Sequence, residues 1–378
     1  MNIVIAPDSF KESLSAKSVA HSIAKAISTV IPEAQLLQIP ISDGGEGLLE
    51  ALVPPSNGTL ISVTVKDPLL RNIQANYGIL GDGTTAVIEM ATASGLELLQ
   101  KNERNPLITS TYGTGQLLLD ALDKGCKKII IGLGGSATND GGMGMIKALG
   151  GKFLNKQGAP VDEGGGALDT LTKIDTTELD KRLLNCEIIG ACDVSNPLTG
   201  KQGASLVYGR QKGGNTAQLE QLDKNLLHYA SIISTNLNKD VKEISGTGAA
   251  GGMGSALLAF FDAKLMRGID LILDTLQLET HIKHADVVIT GEGKIDTQTL
   301  YGKTITGVAK IGQKYGVPVI AITGKIGRDI DSIYEIGVTS IFSIVDQPMD
   351  IKESMNKADD LIQACVRNIF RTINVFKP

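Results

Sequence analysis

Short apolar runs alternate with stretches of helical spacing at both ends of the chain, and the middle follows a different rhythm. Residues 2–6 (Asn-Ile-Val-Ile-Ala) are an apolar run of strand length. Apolar positions over 14–31 recur at helical spacing, with Ser13 or Ser15 as candidate N-cap. A second run at 36–41 and a helix starting over 47–52 complete β-α-β-α, the pattern of a parallel sheet covered by helices. Near residue 58 the pattern changes. Segments 59–65, 74–80 and 85–90 are strand-like, alternate in places and are separated by turn residues such as Gly81-Asp82-Gly83, which predicts an antiparallel meander. Helices are then expected over 115–122, 143–149, 217–237 and 254–263, and strands over 128–131 and 187–191. From 285 the first style returns, with strands over 286–289, 317–322 and 338–345, a helix over 305–315 and an amphipathic closing helix over 351–370. The expected fold class is α/β in two domains. A discontinuous Rossmann- or flavodoxin-like parallel-sheet domain takes 1–58 and 285–378, and a second α/β domain with a mixed sheet is inserted over 59–284.

Composition narrows this picture. At 378 residues a single core is not expected, and 36 Lys+Arg against 41 Asp+Glu leave a net charge of −5 with no basic run, so nucleic acid is not an expected partner. Glycine is the outlier, at 44 residues or about 12% of the chain against ~7% on average. These glycines cluster directly after strand-like segments. The N-terminus has no basic n-region and its apolar stretch stops at Asp8, so no signal peptide is expected. No apolar run approaches the ~18–20 residues that span a bilayer. Cys126, Cys186, Cys192 and Cys365 form no CxxC pair and read as reduced thiols of a cytoplasmic protein.

In open parallel sheets ligands bind beyond the carboxyl ends of the strands, so the residues following each strand are the candidate site. They are Asp8-Ser9-Phe10-Lys11-Glu12-Ser13, Ser42-Asp43-Gly44-Gly45-Glu46-Gly47, Thr290-Gly291-Glu292-Gly293-Lys294-Ile295-Asp296 and Thr323-Gly324-Lys325. In the middle domain an apolar strand runs into Gly134-Gly135-Ser136-Ala137-Thr138-Asn139-Asp140-Gly141-Gly142 and then a helix, and Gly246-Thr247-Gly248-Ala249-Ala250-Gly251-Gly252 precedes another. Such turns aim backbone N–H groups at an anion, with phosphate the natural ligand, although the same glycines also permit tight turns and close packing. Asp193 ends a further strand. With Asp8, Asp43, Glu292 and Asp296 it supplies what Mg²⁺ and a general base need, while aspartates at strand ends also cap turns. Gly132-x-Gly134-x-x-Ala137 matches the dinucleotide fingerprint without the acidic residue expected ~20 positions later. GxxxxGK[ST], the protein-kinase motifs and GxSxG are absent, and His281 and His284 share a helix face suited to a domain junction.

The blocks Ile5-Ala6-Pro7-Asp8-Ser9-Phe10-Lys11-Glu12-Ser13-Leu14, Asp43-Gly44-Gly45-Glu46-Gly47, 132–142, Ala191-Cys192-Asp193-Val194-Ser195-Asn196-Pro197-Leu198 and 289–296 resemble those of the bacterial type I glycerate kinases. The resemblance covers essentially the whole chain. It implies ATP- and Mg²⁺-dependent phosphorylation of D-glycerate to 2-phosphoglycerate at a cleft between two α/β domains, in a monomer or homodimer without membrane or nucleic-acid partners. A cation must then meet the glycerate carboxylate: Lys11 is the candidate, with Ser9 and Ser13 as hydroxyl partners and Asp8, Asp43 and Arg71 on the substrate side. Gly134, Gly135, Ser136, Ala137, Thr138, Asn139, Asp140 and Gly141 would cradle ATP phosphates, and Lys294 or Lys303 would reach the transferring group. Asp193 and Asp296 are the candidates for base and Mg²⁺ ligand, Asp193 being the metal candidate, and Glu292 is a further catalytic acid. Two positions depart from the family pattern: Lys294 stands where Arg is more common, and Leu70 replaces a common Gly before Arg71. The alternatives are the same kinase giving 3-phosphoglycerate, an NAD-dependent hydroxy-acid dehydrogenase resting on 132–137, or a two-lobed sugar-acid-binding protein without catalysis.

Overall fold

A computed structural model describes residues 1–41, 47–301 and 304–375. Among them the strands are β1 (Asn2–Ile5), β2 (Gln35–Gln38), β3 (Thr59–Lys66), β4 (Asn72–Ile79), β5 (Thr85–Glu89), β6 (Lys128–Gly132), β7 (Lys152–Asn155), β8 (Leu171–Asp175), β9 (Glu187–Ala191), β10 (Lys264–Met266), β11 (Val287–Ile295), β12 (Val319–Ile326) and β13 (Val338–Ser343). The chain forms two units, Met1–Asp43 with Ile269–Pro378, and Gly44–Gly268. The sequence pattern had placed the divisions after 58 and 284.

The first unit holds a five-stranded sheet in the order β13-β12-β11-β1-β2, parallel throughout. Ile3, Ile5, Val287, Ile289, Ile320 and Ile322 face one side, where helices Ala16–Val30 and Ala358–Val375 cover them. Alternate residues such as Ala321 and Val338 meet Ile305 and Ala309 of helix Thr304–Tyr315. In β1, β11 and β12 both faces are buried, which is why these strands read as unbroken apolar runs. Ser15 caps the first helix as expected, its hydroxyl accepting from the Ser18 amide at 3.2 Å.

Two boundaries differ from the sequence reading. Residues 290–295 and 323–325 are strand rather than loop, because Glu292 pairs with Thr323 and Lys294 with Lys325 across the β11–β12 ladder. Backbone pairing needs no apolar side chain, so the strands outlast the apolar runs that announce them. The closing helix is two helices, Ile351–Asn356 and Ala358–Val375, divided where Lys357 turns to φ −100°, ψ 9°.

The second unit carries a six-stranded sheet in the order β10-β9-β6-β5-β4-β3. β3, β4 and β5 form the expected antiparallel meander, while β5, β6, β9 and β10 run parallel. Helices Tyr112–Asp123, Met143–Ala148, Thr216–Leu237 and Ala249–Phe261 contribute to its core. The β7–β8 hairpin and β10 had no forecast, being short and each carrying a lysine. All four cysteines are free thiols. Burial pushes Cys186 and Cys365 up to about 11, which leaves them as unreactive thiols. Among the described residues no helix is long and apolar enough to cross a membrane.

Candidate active site

Strand register brings the second unit's polar residues level. Glu89 pairs with Gly132 and Gly132 with Ala191, so the chain leaves β5, β6 and β9 at one sheet edge. A cleft of about 680 Å³ opens there, with Glu89, Gly134, Gly135, Ser136, Tyr208 and Lys212 among its lining. Gly135 holds φ +69°, a conformation that favours glycine, and an added Cβ would come within 3.0 Å of the Ala91 methyl. The turn is pinned by Leu133 N–H to the Ala191 carbonyl at 3.1 Å and Leu96 N–H to the Gly135 carbonyl at 2.8 Å.

The eight residues expected to cradle phosphate divide into two groups. Gly134, Gly135 and Ser136 line the cleft, whereas Ala137, Thr138, Asn139, Asp140 and Gly141 are buried. Asp140 accepts at Oδ2 from the Thr111 amide and hydroxyl, both at 2.8 Å, and from the Gly144 amide at 3.1 Å. Its carboxylate thereby ties together the starts of helices Tyr112–Asp123 and Met143–Ala148. Burial raises its pKa, and the bonds from Thr111 and Gly144 oppose that rise. Asn139 donates to the Ser205 hydroxyl at 2.9 Å.

The second glycine run packs against the first. Ala250, Gly251 and Gly252 hold φ of 53°, 67° and 93°. A Cβ on Gly251 would lie 2.0 Å from the Thr138 carbonyl oxygen, and Gly141 N–H donates to the Gly251 carbonyl at 3.1 Å. Ala249 and Ala250 still reach the cleft wall. The dinucleotide fingerprint also loses its context, since 132–137 does not lead directly into a helix; the next begins at Met143.

Lys212 was missed from the sequence. It is 2% exposed, and its ammonium donates to Ser136 Oγ at 2.8 Å and to the Thr138 carbonyl at 2.7 Å. Burial draws its pKa down to about 7 against the opposing charge of Asp140. Its local signal is Gln211-Lys212-Gly213-Gly214: Gly213 holds φ +95°, and a side chain there would strike the Arg104 carbonyl. Asp193, just past β9, is exposed and accepts from Gly268 N–H at 2.9 Å. Among the described residues no group of three or more His, Cys, Asp or Glu could hold a metal ion. Glu89 ends β5 and Asp193 lies just past β9, the two strands flanking β6. Single carboxylates of this kind suit Mg²⁺, which takes one or two alongside substrate phosphates.

In the first unit, strands taken in their own order read 2-1-3-4-5, whose ligand crevice lies between the first and third. Those are β1 and β11. Asp8, buried just past β1, accepts from Ser9 N–H at 2.6 Å, Ser9 Oγ at 3.2 Å and Thr304 Oγ1 at 2.7 Å. Glu292 accepts from Thr299 Oγ1 at 2.5 Å, the same hydroxyl accepts from Asp296 N–H at 3.1 Å, and Lys294 pairs with Asp296 at 2.6 Å. Thr299 and Thr304 therefore organise the acids, and neither stood out in the sequence. A Cβ on Gly293 would lie 3.4 Å from Phe10 Cα, so β11 passes close to the loop carrying the exposed Lys11. Ser13 donates its hydroxyl proton to the Met355 carbonyl at 2.8 Å. Asp43 and Lys303 lie outside the described residues. Arg71 sits in the second unit's β3–β4 turn, bonded to Asp67 and Glu103 at 2.6 Å each, and is not among the residues lining the cleft. Those carboxylates raise its pKa, Glu103 foremost.

Comparison with known proteins comes to the same place. A family model described as the glycerate kinase family matches residues 3–374. The chain is 51% identical over 367 residues to the glycerate kinase of Halalkalibacterium halodurans, covering 97% of each. It is 48% identical to the glycerate 2-kinase of Escherichia coli, over 99% of this chain and 98% of that one. A crystal structure from Salmonella typhimurium LT2, given as a candidate glycerate kinase 2, superposes with a TM-score of 0.91 at 47% identity, covering 99% of this chain and 98% of that one.

Proposed function

The chain belongs to the glycerate kinase family, and on that premise we propose that it transfers the γ-phosphoryl group of ATP to the 2-hydroxyl of D-glycerate, with Mg²⁺. Its activity is that of a glycerate kinase, a phosphotransferase. The geometric observation that carries the reading is the second unit's cleft, where a glycine turn held from behind by Asp140 presents backbone at a strand edge.

Phosphoryl transfer asks a protein for position and charge more than for covalent chemistry. Gly134, Gly135 and Ser136 would hold phosphate oxygens through backbone N–H groups. Asp193, with Glu89, would hold Mg²⁺, which neutralises phosphate charge when bound. Lys11 meets the glycerate carboxylate, Ser9 orients it, and Lys294 steadies the transferring group. One carboxylate, Asp296 in this assignment, takes the proton from the 2-hydroxyl as its oxygen bonds to phosphorus and the bond to the ADP oxygen breaks. Asp8 and Glu292 keep this cluster in place through their threonine partners.

A coupled assay of ADP release tests the reading with D-glycerate, L-glycerate and glyoxylate. D-Glycerate should release ADP far above background, and glyoxylate, which lacks the alcohol, should not. ADP release with D-glycerate no faster than without acceptor would sink it.

A further inference from the structure

We propose that Lys212 is the phosphate-binding cation of the second unit's cleft, meeting a nucleotide phosphate with the N–H that its two protein bonds leave over. The proposal deepens the reading above and rests on it for the nucleotide. An ammonium has three donors, and the described acceptors, Ser136 Oγ and the Thr138 carbonyl, take two. Both belong to the glycine turn, while Lys212 itself lines the cleft. Its backbone is fixed by the tight turn of 209–214, where Lys212 N–H and Gly214 N–H both donate to the Gly209 carbonyl, at 3.1 Å each. A cation held on a rigid backbone and bonded to a glycine turn of the cleft wall is suited to a phosphate.

The electrostatics agree. A buried charge with only neutral acceptors is poorly compensated. The ionisable groups around it are Asp140 behind the turn, Glu89, Glu97 and Tyr208 on the cleft wall, Arg210 on its own segment and Arg104 beside Gly213. Of these, Asp140 supports its charge, yet burial wins and its pKa falls to about 7. Before ligand arrives its charged form is therefore held less firmly than that of an exposed lysine. A phosphate in the cleft supplies the counter-charge that the protein withholds.

Calorimetric titration of the full chain with ADP and with adenosine tests the proposal, using Lys212→Met. Lys212→Met should weaken ADP binding about ten- to a hundred-fold, the loss of a bond to a charged group, and leave adenosine within about twofold. Its KM for D-glycerate should stay within about threefold. Unchanged ADP affinity, or equal losses for ADP and adenosine, overturns the proposal. Failure of the unsubstituted protein to bind ADP instead overturns the nucleotide reading beneath it. If Lys212→Met does not fold, the unsubstituted protein with ¹³C-labelled lysine decides. One ε-carbon resonance should titrate near pH 7 alone and above about pH 9 with ADP, but not with adenosine. No such resonance, or a midpoint that ADP leaves in place, overturns the proposal.

Discussion

Leu70 holds φ at +63° in the turn between β3 and β4, at the position where the family resemblance led us to expect glycine. A left-handed conformation costs an L-residue roughly 1–2 kcal/mol, while glycine costs about 0.4–1 kcal/mol through the freer unfolded chain. Leu70 is 39% exposed, so most of its surface is covered, and the burial lost with its side chain offsets that gain. Leu70→Gly should therefore not raise the urea midpoint; a higher midpoint contradicts it. Lys11→Ala removes a charge-assisted contact to a group that does not react, so the KM for glycerate should rise about ten- to a hundred-fold with kcat little changed. An altered KM for ATP instead would move Lys11 to the nucleotide. Lys212 adds a pH dependence. Below about pH 7 it carries its proton folded and unfolded alike, whereas between about 7 and 10 only the unfolded chain holds that proton. Stability from this group accordingly rises with pH across that window. Urea midpoints at pH 7 and 8.5 should rise more steeply in the wild type than in Lys212→Met; equal slopes refute it.

At the scale of elements, the site is a property of strand ends. Asp193 lies just past β9 and Asp296 just past β11, and each has a structural bond, to Gly268 N–H and to Lys294 respectively. Asp→Asn at either position keeps shape and removes charge, so kcat should fall by roughly two to four orders of magnitude with the fold intact. Mn²⁺ or higher Mg²⁺ should partly rescue Asp193→Asn and leave Asp296→Asn unrescued. A lowered melting temperature with near-normal kcat in both would make these aspartates turn caps. Much of this was legible from residue order: the apolar runs at 2–6, 128–131 and 187–191 mark β1, β6 and β9, and the polar residues immediately after each run mark the edge. The illegible part depends on partners distant in sequence. The ends of β11 and β12 are set by their ladder, Thr304 gains meaning only against Asp8, and Lys212 only against Ser136. The glycines of 246–252 looked like a second phosphate turn because close backbone packing and anion binding call for the same residue.

At the scale of the whole molecule, each unit contributes a sheet edge with its own chemistry. Met1–Asp43 with Ile269–Pro378 carries acids, hydroxyls and Lys11, and Gly44–Gly268 carries the glycine turn, Lys212 and Asp193. Loss of charge at Asp296 in one unit or at Asp193 in the other should therefore each lower kcat, which separates this enzyme from a one-unit nucleotide binder. Transfer to the 2-hydroxyl of D-glycerate is read from the proton-coupled ³¹P NMR spectrum of the product formed from ATP, Mg²⁺ and D-glycerate. Phosphorus on the 2-oxygen has one hydrogen on the attached carbon and gives a doublet, which is the result expected. A triplet from the two hydrogens of a 3-phosphate, or no phosphomonoester beyond that of a glycerate-free control, would contradict it.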